Sequence, residues 1–482
     1  MSYDYDLVVI GGGAAGLVAS KFAAGIGKRV ALIEKNRLGG ECTLYGCVPS
    51  KTLIRAARAF HGISEARKLG LVDARQYQTP VTMPAKNGVM AHVRSVVEAV
   101  YDGHNPELLE RLGIQVMIGH PRFRDKHHVY VNGRLLSSGT FVVCTGSSPF
   151  VPSIEGIDSV PYLTNQTLFG IDRLPQSMIV LGGGPIGIEM AQAFNYLGVR
   201  VTVVEMAEQI LMKDDREFSD ILAGRLRQQG LVLLVSTKAV SVEGKDGSII
   251  LIVQEAGGRR YSISAETILV AVGRKANVEG IDLEAAGVVY SPKSIKTDVK
   301  LRTTVRNIFA CGDVTGPYQF SHMAEYQARI AARNALLPFQ TRALYEHYLW
   351  CTFTDPEFAH AGLTEDEARQ RYGNKIRVYR WQYRQTDRAR TEAEEFGVAK
   401  FICDPSYKLI GAHILGNRAG ELIHEAQIIK TLGIPFYKLD SVIHVYPTFS
   451  DVVRQPAKMS RIDRLRNNLF IRIAGTLTGK KK

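Results

Sequence analysis

The sequence predicts an α/β fold with two Rossmann-like segments and a C-terminal α+β domain. Short apolar strands alternate with helical segments through most of the 482 residues, and a glycine-rich turn follows a strand twice, at 11–16 and at 182–187. From about Tyr345 the pattern becomes typical of antiparallel strands and one amphipathic helix, 420–432. This order of elements predicts parallel sheets first and an antiparallel sheet last. The segments predicted as antiparallel strands are 353–357, 377–383 and 397–402.

Composition and charge indicate a globular protein with anionic ligands. The length gives room for about three domains, and the contents of 45% hydrophobic and 22% charged residues are ordinary. No apolar run approaches the roughly 18 residues of a membrane span. The N-terminus leads directly into a strand, so we expect no signal peptide and a cytoplasmic location. The net charge of +13 suits nucleotide phosphates, and no nucleic-acid-binding motif accompanies it.

The first glycine-rich turn predicts a dinucleotide site. Strand 6–10 is short and apolar, like a buried parallel strand, and leads through Gly11, Gly13 and Gly16 into a helical run. Gly11 permits the tight turn, Gly13 lets the backbone approach a pyrophosphate at the helix N-terminus, and Gly16 lets helix and strand pack. Glu34 ends the next strand, where a carboxylate holds ribose hydroxyls. A lone glycine motif is weak evidence for a dinucleotide site. The full order of strand, glycines, helix, strand and acid is specific for one.

The second Rossmann segment repeats this pattern. Strand 178–181 leads into Gly182, Gly184 and Gly187, and the following strand ends in Glu205. A carboxylate at that place accepts a hydrogen bond from a ribose 2′-hydroxyl and repels a 2′-phosphate. No arginine follows closely in the sequence. We therefore predict NADH rather than NADPH for this segment.

Two neighbouring cysteines are candidates for redox chemistry. Cys42 and Cys47 lie five positions apart, after a Gly-Gly turn and before a helical run. Gly46 and Pro49 favour a loop or distorted turn that can bring the sulfurs into bonding range. A thiol near a helix N-terminus has a lowered pKa. Two unrelated cysteines are the alternative, and no nearby histidine or further cysteine favours a metal site. The cysteines interpreted as core thiols are Cys144, Cys311, Cys351 and Cys403.

The segment 39–51, GGECTLYGCVPSK, resembles the redox-active disulfide of the FAD-dependent pyridine nucleotide-disulfide oxidoreductases. These include dihydrolipoamide dehydrogenase, glutathione reductase and mercuric reductase. The resemblance extends from about Tyr5 to about Gln455, and it implies a homodimer whose active sites are shared between subunits. It implies FAD in the first Rossmann segment and NAD in the second. The implied divisions are an FAD domain at 1–150 and 275–344, an NAD domain at 151–274, a dimerisation domain at 345–460 and a basic tail at 461–482.

The resemblance also implies roles for single residues. Cys47 would be the flavin-proximal cysteine that forms a charge-transfer thiolate, and Cys42 would attack the substrate. Glu189 would meet the nicotinamide end and pair with Lys51 near the flavin, and Asp313 would bind the ribityl chain of FAD. The other residues expected to bind a cofactor are Thr145, Gly146, Ser147, Ile186, Gly273, Arg274 and Ala324.

The acid–base segment departs from the family pattern. Dithiol reductases of the family carry His-Pro-Thr-x-x-Glu, in which the glutamate orients the histidine. Here Tyr446 precedes Pro-Thr, Asp451 stands at the acid position, and His444 lies two positions before Tyr446. A tyrosine with a pKa of about 10 is a poor base at neutral pH. In an extended strand, residues two apart are separated by about 6.6 Å, so His444 and Tyr446 both stay candidates for this role.

Three functions follow. The first passes electrons from NADH through FAD to the Cys42–Cys47 disulfide and on to a disulfide substrate, as in dihydrolipoamide dehydrogenase. The second delivers them to a quinone or a metal ion. Efficient mercuric reduction is not expected, because the chain has no N-terminal metal-binding module and no vicinal C-terminal cysteines to pass Hg(II) inward. The third is a redox-sensing, membrane-associated binding protein. The tail 461–482 is interpreted as a docked basic helix or as a contact with an anionic membrane surface.

Overall fold

The computed structural model describes residues 3–65 and 88–468. The chain forms two compact bodies. The larger body comprises Met1–Met206 and Ser236–Leu344, and the smaller body comprises Ala207–Val235 and Tyr345–Lys482.

A parallel sheet organises the first Rossmann segment in the larger body. Its first strand is fully buried between layers, and Leu7 lies opposite Val30 while Val8 lies opposite Phe141. The helices Ala14–Gly25 and Ser321–Leu336 pack on each other. The strands, in spatial order, are Ile308–Ala310, Phe141–Val143, Leu7–Ile10, Val30–Glu34 and Ile114–Ile118.

A second parallel sheet forms the other Rossmann segment. Strand Ser177–Leu181 pairs with Arg200–Val204 on one side and with Thr267–Val270 on the other. Helix Pro185–Tyr196 follows the first of these strands. Two short strands, Ser147–Pro149 and Arg274–Ala276, pair antiparallel where the chain leaves one Rossmann segment and returns. The sequence therefore predicted both parallel sheets correctly.

The larger body also contains smaller sheets and several helices. One three-stranded antiparallel sheet consists of Arg122–Asp125, His128–Val131 and Arg134–Ser137, and another of Thr237–Lys245, Ser248–Glu255 and Arg260–Ala265. Tyr290–Ser291 pairs with Ser294–Ile295. The remaining helices are Gly40–Leu44, Cys47–Glu65, Gly88–Asp102, Pro106–Arg111 and Asn165–Leu168.

An antiparallel sheet forms the centre of the smaller body. Its strands, in spatial order, are Leu349–Thr352, Glu357–Gly362, Leu409–Gly416, Val398–Cys403 and Arg377–Gln382. Phe401 and Phe436 stack with ring centroids 4.9 Å apart in its core. The indole Nε1 of Trp350 donates to Asp214 Oδ1 at 2.9 Å, which ties the segment 207–235 to this sheet. The other strand and the helices are Val232–Leu234, Arg216–Gln228, Glu365–Tyr372, Asp387–Thr391, Ala419–Thr431 and Asp451–Arg466.

Most predicted elements of the smaller body lie within two residues of the observed ones, with one exception. The prediction of a strand over 353–357 is wrong, because the strands are Leu349–Thr352 and Glu357–Gly362 and the intervening residues form their connection. Pro356 lies in this connection and has no backbone N–H for a ladder hydrogen bond. Thr354 Oγ1 instead donates to the Pro356 carbonyl at 2.7 Å.

Parts of two sequence segments fall outside the described residues. The sequence over 56–112 has a mostly helical pattern, and helices are observed on both sides of 66–87, with Val93 and Val97 buried. The basic C-terminal segment is helical as far as Arg466, and the rest of it, 469–482, lies outside the described residues together with the predicted membrane contact. Within 3–65 and 88–468, no helix is both long and apolar enough to cross a membrane.

Candidate active site

The segment 39–51, here called the redox loop, packs backbone to backbone on the first glycine turn. Gly11 has a φ of +104°, and a side chain there would collide with the Cys144 carbonyl oxygen at 2.3 Å. A Cβ on Gly40 would lie only 2.6 Å from the Cα of Gly13. Both positions require glycine, and the close approach of Gly40 to Gly13 places the redox loop against the turn that the sequence predicts to bind a nucleotide.

The two cysteines of the redox loop occupy different local structures. Cys42 lies on the short helix Gly40–Leu44, whereas Cys47 is the first residue of helix Cys47–Glu65. Their side chains are hydrogen-bonded to each other, and Cys47 Sγ also lies 3.3 Å from Ser321 Oγ. The hydrogen bond from Cys42 is the main cause that lowers the pKa of Cys47 to about 6. The same contact raises the pKa of Cys42, so the pair favours a Cys47 thiolate beside a Cys42 thiol.

This asymmetry predicts the pH dependence of alkylation at Cys47. Because its pKa is depressed to about 6, the thiolate persists above that pH and is lost as the pH falls through it. We expect the iodoacetamide rate at Cys47 in the reduced protein to show a midpoint near pH 6. In Cys42→Ala the midpoint should rise toward the ordinary value of about 8.5. Peptide mass spectrometry separates Cys47 from the buried Cys144, and a wild-type midpoint near 8.5 would contradict the assignment.

Lys51 and Glu189 form an ion pair beside the cysteines. Lys51 Nζ lies 2.7 Å from Glu189 Oε2, and the Glu189 side chain is only 6% exposed. Lys51 follows Cys47 by four positions on one helix, so both lie on the same helix face. The charge of Lys51 lowers the pKa of Cys47, although less than the hydrogen bonds from Cys42 and Ser321 do. The structure thus brings together the lysine and the glutamate that the sequence analysis paired.

In each glycine turn, a backbone N–H donates a hydrogen bond to a glutamate carboxylate from the end of the next strand. Glu34 Oε2 accepts a hydrogen bond from the Gly12 N–H at 2.7 Å, and Oε1 accepts one from the Asn36 N–H at 2.9 Å. Glu205 Oε2 accepts one from the Gly183 N–H at 2.6 Å. Each carboxylate is therefore fixed at the C-terminal end of its strand, next to its glycine turn.

The two glycine turns leave room for phosphates. Gly13 and Gly184 precede the helices Ala14–Gly25 and Pro185–Tyr196, and neither residue provides a side-chain cap. A Cβ on Gly184 would meet nothing within 4 Å, and one on Gly13 would meet only Gly40 Cα at 3.7 Å. Uncapped helix N-termini with open space in front bind anions. The residues present therefore fit the pyrophosphates of two dinucleotides.

A polar cluster lies at the crossing between the Rossmann segments. Ser147 Oγ donates to Asp313 Oδ2 at 2.6 Å and accepts from Arg274 Nε at 2.7 Å. Burial raises the pKa of Asp313 despite the hydrogen bond from Ser147 and the nearby charge of Arg274. Thr145 Oγ1 donates to the Asn277 carbonyl at 2.7 Å. These contacts hold Asp313 in a buried setting, where its remaining lone pairs can accept from ligand hydroxyls.

The remaining predicted cofactor residues shape the backbone near these groups. Gly146 and Gly273 have φ values of +69° and +147°, which favour glycine. A Cβ on Gly312 would lie 3.4 Å from the Cβ of Ala324, so Ala324 packs against the turn that precedes Asp313. Ile186 is 36% exposed on the first turn of its helix. Gly16 and Gly187 each approach the carbonyl of the glycine that opens their turn.

The acid–base candidates belong to the smaller body. The side chain of His444 is 10% exposed, and its Nε2 lies 2.6 Å from Glu425 Oε1. Its Nδ1 lies 2.8 Å from the Val442 carbonyl oxygen. Tyr446 is 68% exposed, and its hydroxyl donates to Asp387 Oδ2 at 3.0 Å. That hydrogen bond raises the pKa of Tyr446.

The acids beside these residues differ from the one that the family pattern indicates. Asp451 bonds to Arg454, with Oδ1 2.7 Å from the guanidinium Nη2. Instead, Glu425 contacts the imidazole of His444, and Asp387 accepts a hydrogen bond from the hydroxyl of Tyr446. Sequence reasoning missed Glu425 and Asp387 because they precede their partners by 19 and 59 positions. For Glu425 the sequence offered only its place on the predicted helix 420–432, which also contains Glu421.

Comparisons with known proteins agree with this architecture. Residues 5–328 match the family model described as pyridine nucleotide-disulphide oxidoreductase, and residues 348–457 match its dimerisation domain. The chain is 33% identical to a mercuric reductase of Bacillus cereus over 453 residues, which cover 93% of this chain and 70% of that protein. It is 32% identical to a dihydrolipoyl dehydrogenase of Thermus scotoductus, with 94% of this chain and 97% of that protein covered.

Solved structures give the same result. The HOCl-induced flavoprotein disulfide reductase RclA from Escherichia coli superposes with a TM-score of 0.82 at 28% identity, covering 94% of this chain and all of that chain. A Cu(II) complex of the same protein gives a TM-score of 0.81. The chain belongs to the pyridine nucleotide-disulphide oxidoreductase family, whose members are FAD-dependent and use a pyridine nucleotide.

Proposed function

We propose that the protein is an NADH-dependent flavoprotein reductase that delivers electrons through the Cys42–Cys47 dithiol to a disulfide substrate. The observation that carries this proposal is the direct side-chain contact between Cys42 and Cys47, beside the ion pair that Lys51, on the same helix as Cys47, forms with Glu189. When bound, FAD supplies two-electron chemistry that links a hydride donor to a disulfide. The overall reaction converts NADH, a proton and a disulfide into NAD⁺ and two thiols.

The residues of the larger body have separate tasks in this proposal. Cys42 attacks one sulfur of the substrate disulfide and expels the other as a thiol. Cys47 then attacks the Cys42 sulfur, which releases the second thiol and re-forms the Cys42–Cys47 disulfide. Lys51 keeps positive charge beside the Cys47 thiolate, and Glu189 fixes Lys51 at 2.7 Å. Gly13 and Glu34 would hold FAD.

A homodimer is the functional unit in this proposal. The match of 348–457 to the dimerisation domain supports dimer formation. The partner subunit then supplies either its own copy of His444 or its own copy of Tyr446 as the proton-transfer group. We also propose the division into an FAD domain at 1–150 and 275–344, an NAD domain at 151–274 and a dimerisation domain at 345–460.

Steady-state NADH oxidation by the purified holoenzyme tests the proposed function. Lipoamide, glutathione disulfide and a short-chain quinone serve as parallel acceptors. We expect a disulfide to sustain many turnovers and to be reduced with one NADH consumed per disulfide. Turnover with the quinone alone would overturn the disulfide assignment, and a single oxidation per site would indicate a redox sensor.

Reduction of a soft metal ion is the second candidate. Tyr446 replaces histidine before Pro-Thr and is 68% exposed, so it can donate to an anion but is a poor base at neutral pH. A metal ion bound by two thiolates needs no proton shuttle between sulfurs, and soft ions such as Hg(II) prefer thiolate ligands. NADH oxidation with Hg(II) or Cu(II) in the absence of disulfides distinguishes this activity from disulfide reduction.

Glu205 provides a prediction for cofactor choice. Its carboxylate is fixed 2.6 Å from the Gly183 N–H, where it would accept from a ribose 2′-hydroxyl and repel a 2′-phosphate. We expect kcat/KM to be about 100-fold higher with NADH than with NADPH, which corresponds to about 2.7 kcal/mol. Glu205→Ser should reduce this ratio about tenfold, mainly through a lower KM for NADPH. Equal kcat/KM values in the wild type would contradict the assignment.

A further inference from the structure

The carboxylate of Glu41, the residue before Cys42, is held by donors from two other segments. Glu41 Oε1 accepts from Asn165 Nδ2 at 2.6 Å and lies 3.1 Å from Arg274 Nη2. Its Oε2 accepts from Gln166 Nε2 at 3.3 Å. The Glu41 side chain is 25% exposed and that of Arg274 is 11% exposed, so this ion pair is largely shielded from water and retains more of its strength than a surface pair.

These bonds give the short helix of the redox loop its support. Helix Gly40–Leu44 has five residues, and an isolated helix of that length is not stable in water. Its first turn contains Glu41, and Asn165 also donates to the carbonyl of Tyr45 at 3.2 Å. Residues from other segments therefore hydrogen-bond to the segment that carries Cys42 near both of its ends, at Glu41 and at Tyr45.

Arg274 extends the contact to the polar cluster at the crossing. Its Nη2 donates to the Ser147 carbonyl at 2.9 Å, and its Nε lies 3.7 Å from Asp313 Oδ2. A continuous path of charged and hydrogen-bonded groups thus joins Glu41, through Arg274, to Ser147 and Asp313. The backbone of Cys42 is held relative to Ser147 and Asp313, which the family resemblance assigns to cofactor binding.

We propose that Glu41 is a positioning residue for Cys42, which it holds at the distance and angle from Cys47 that disulfide exchange requires. This inference rests on the proposed function of the dithiol. Two groups held in reacting geometry behave as if each were present at a very high concentration, and small displacements reduce the rate strongly. The step that depends on this geometry is the attack of Cys47 on a mixed disulfide at Cys42.

Reoxidation of the chemically reduced protein isolates this step. The holoenzyme is reduced with dithiothreitol, desalted and mixed with glutathione disulfide, without NADH. Cys42 gives up its thiol proton and attacks one sulfur of glutathione disulfide, which forms a Cys42–glutathione mixed disulfide and releases the other glutathione as a thiol. The Cys47 thiolate then attacks the Cys42 sulfur, which closes the protein disulfide and releases the second glutathione thiolate. Acid quenching and mass spectrometry measure the adduct on Cys42.

Glu41→Gln is the main variant, since it keeps the size of the side chain and removes the charge that pairs with Arg274. We expect closure of the disulfide to slow about tenfold, with a transient glutathione adduct on Cys42 that the wild type does not accumulate. Asn165→Ala removes the 2.6 Å donor from a different segment and should act in the same direction. Glu98→Gln is the matched control, since it breaks the surface pair of Glu98 with Arg37, whose atoms lie 2.7 Å apart.

The outcomes separate positioning from a general structural role. Closure at the wild-type rate in both Glu41→Gln and Asn165→Ala, without an adduct on Cys42, would overturn the proposal. Loss of flavin from both variants, together with slowed closure, would also overturn it by showing that Glu41 merely maintains the fold. The measurement uses no NADH turnover, so a failure of the proposed function would be seen separately in the steady-state assay with wild-type protein.

Discussion

Cys42→Ser should abolish NADH-driven disulfide reduction, with kcat/KM lowered by at least about 1000-fold. Serine keeps the size and hydrogen-bonding capacity of the side chain, but its hydroxyl does not attack a disulfide at neutral pH. Cys47 alone cannot exchange electrons as a disulfide, because it has no partner sulfur with which to close. Reduction of the bound flavin by NADH should continue, since Gly184, Glu189 and Glu205 are unchanged. The steady-state assay and a single anaerobic NADH titration measure these two quantities.

Cys351→Ser is the matched control for this experiment. Cys351 is a half-buried cysteine of the smaller body, and its Sγ donates weakly to the Thr352 carbonyl at 3.7 Å. Its replacement should leave disulfide reduction within about twofold of wild type. Retention of disulfide turnover in Cys42→Ser would reject the dithiol route. Loss of disulfide turnover with retained quinone turnover would show that quinones take electrons before they reach Cys42.

Elements of the fold that depend on local sequence spacing were predictable from the sequence. Gly11 and Gly182 each follow a short apolar strand and precede a helix, so local spacing alone predicted two parallel sheets. The pair Lys51–Glu189 was accessible only through the family resemblance, because 138 positions separate its members. Pro356 was a local signal against the strand predicted over 353–357, because proline has no backbone N–H to donate a hydrogen bond to a neighbouring strand.

Partners brought together by the tertiary fold were not predictable. Nothing near His444 indicates that Glu425 lies 2.6 Å from it, and the family spacing pointed to Asp451 instead. Glu41 was read only as part of the cysteine motif, although its carboxylate accepts from Asn165 and pairs with Arg274. A charged side chain on a strand or a short helix carries no local sign of its partner, because the partner is chosen by packing.

Lys400 is the strongest example and gives the largest expected effect on stability. Its side chain is 2% exposed on a central strand, and its Nζ lies 2.9 Å from Asp215, 2.7 Å from Glu217 and 3.0 Å from Glu365. Asp215 and Glu217 lie at the start of helix Arg216–Gln228, and Glu365 begins helix Glu365–Tyr372. The Lys400 ammonium group thus links the N-termini of two helices to the sheet through ion pairs.

Lys400→Met should lower the free energy of unfolding of the smaller body by about 3–5 kcal/mol, because it leaves the buried Asp215 carboxylate without its ammonium partner, whereas Glu217 and Glu365 keep their ion pairs with Arg380. Methionine keeps most of the apolar stem, so the loss is electrostatic rather than a cavity. The chain has two tryptophans, Trp350 and Trp381, and both belong to the smaller body. Urea unfolding followed by tryptophan fluorescence therefore reports on this body. Lys408→Met, at an exposed position next to the same sheet, should change the stability by less than about 0.5 kcal/mol.

The pH dependence of this loss tests its electrostatic origin. Burial alone lowers the pKa of Lys400, but its hydrogen bonds to Glu217 and Asp215 raise it overall. In the wild type the pKa of Glu217 is lowered, because bonds to Lys400 and Arg380 outweigh burial, so its contribution is present at neutral pH and is lost as the pH falls through that lowered value. In Lys400→Met the hydrogen bond from Lys400 no longer lowers the pKa of Glu217, so that pKa rises, and protonation of carboxylates at lower pH offsets part of the lost pairing.

The difference in unfolding free energy between wild type and Lys400→Met should therefore narrow as the pH is lowered from about 7 to about 5. Adding Asp215→Asn to Lys400→Met should recover part of the loss at neutral pH, since it removes the negative charge of the most buried of the three carboxylates, which is only 4% exposed. A difference that is independent of pH, or a double variant less stable than Lys400→Met alone, would show that Lys400 contributes by packing. In that case the two helix N-termini would be held to the sheet by contacts such as Phe218 with Phe358, whose ring centroids lie 5.6 Å apart.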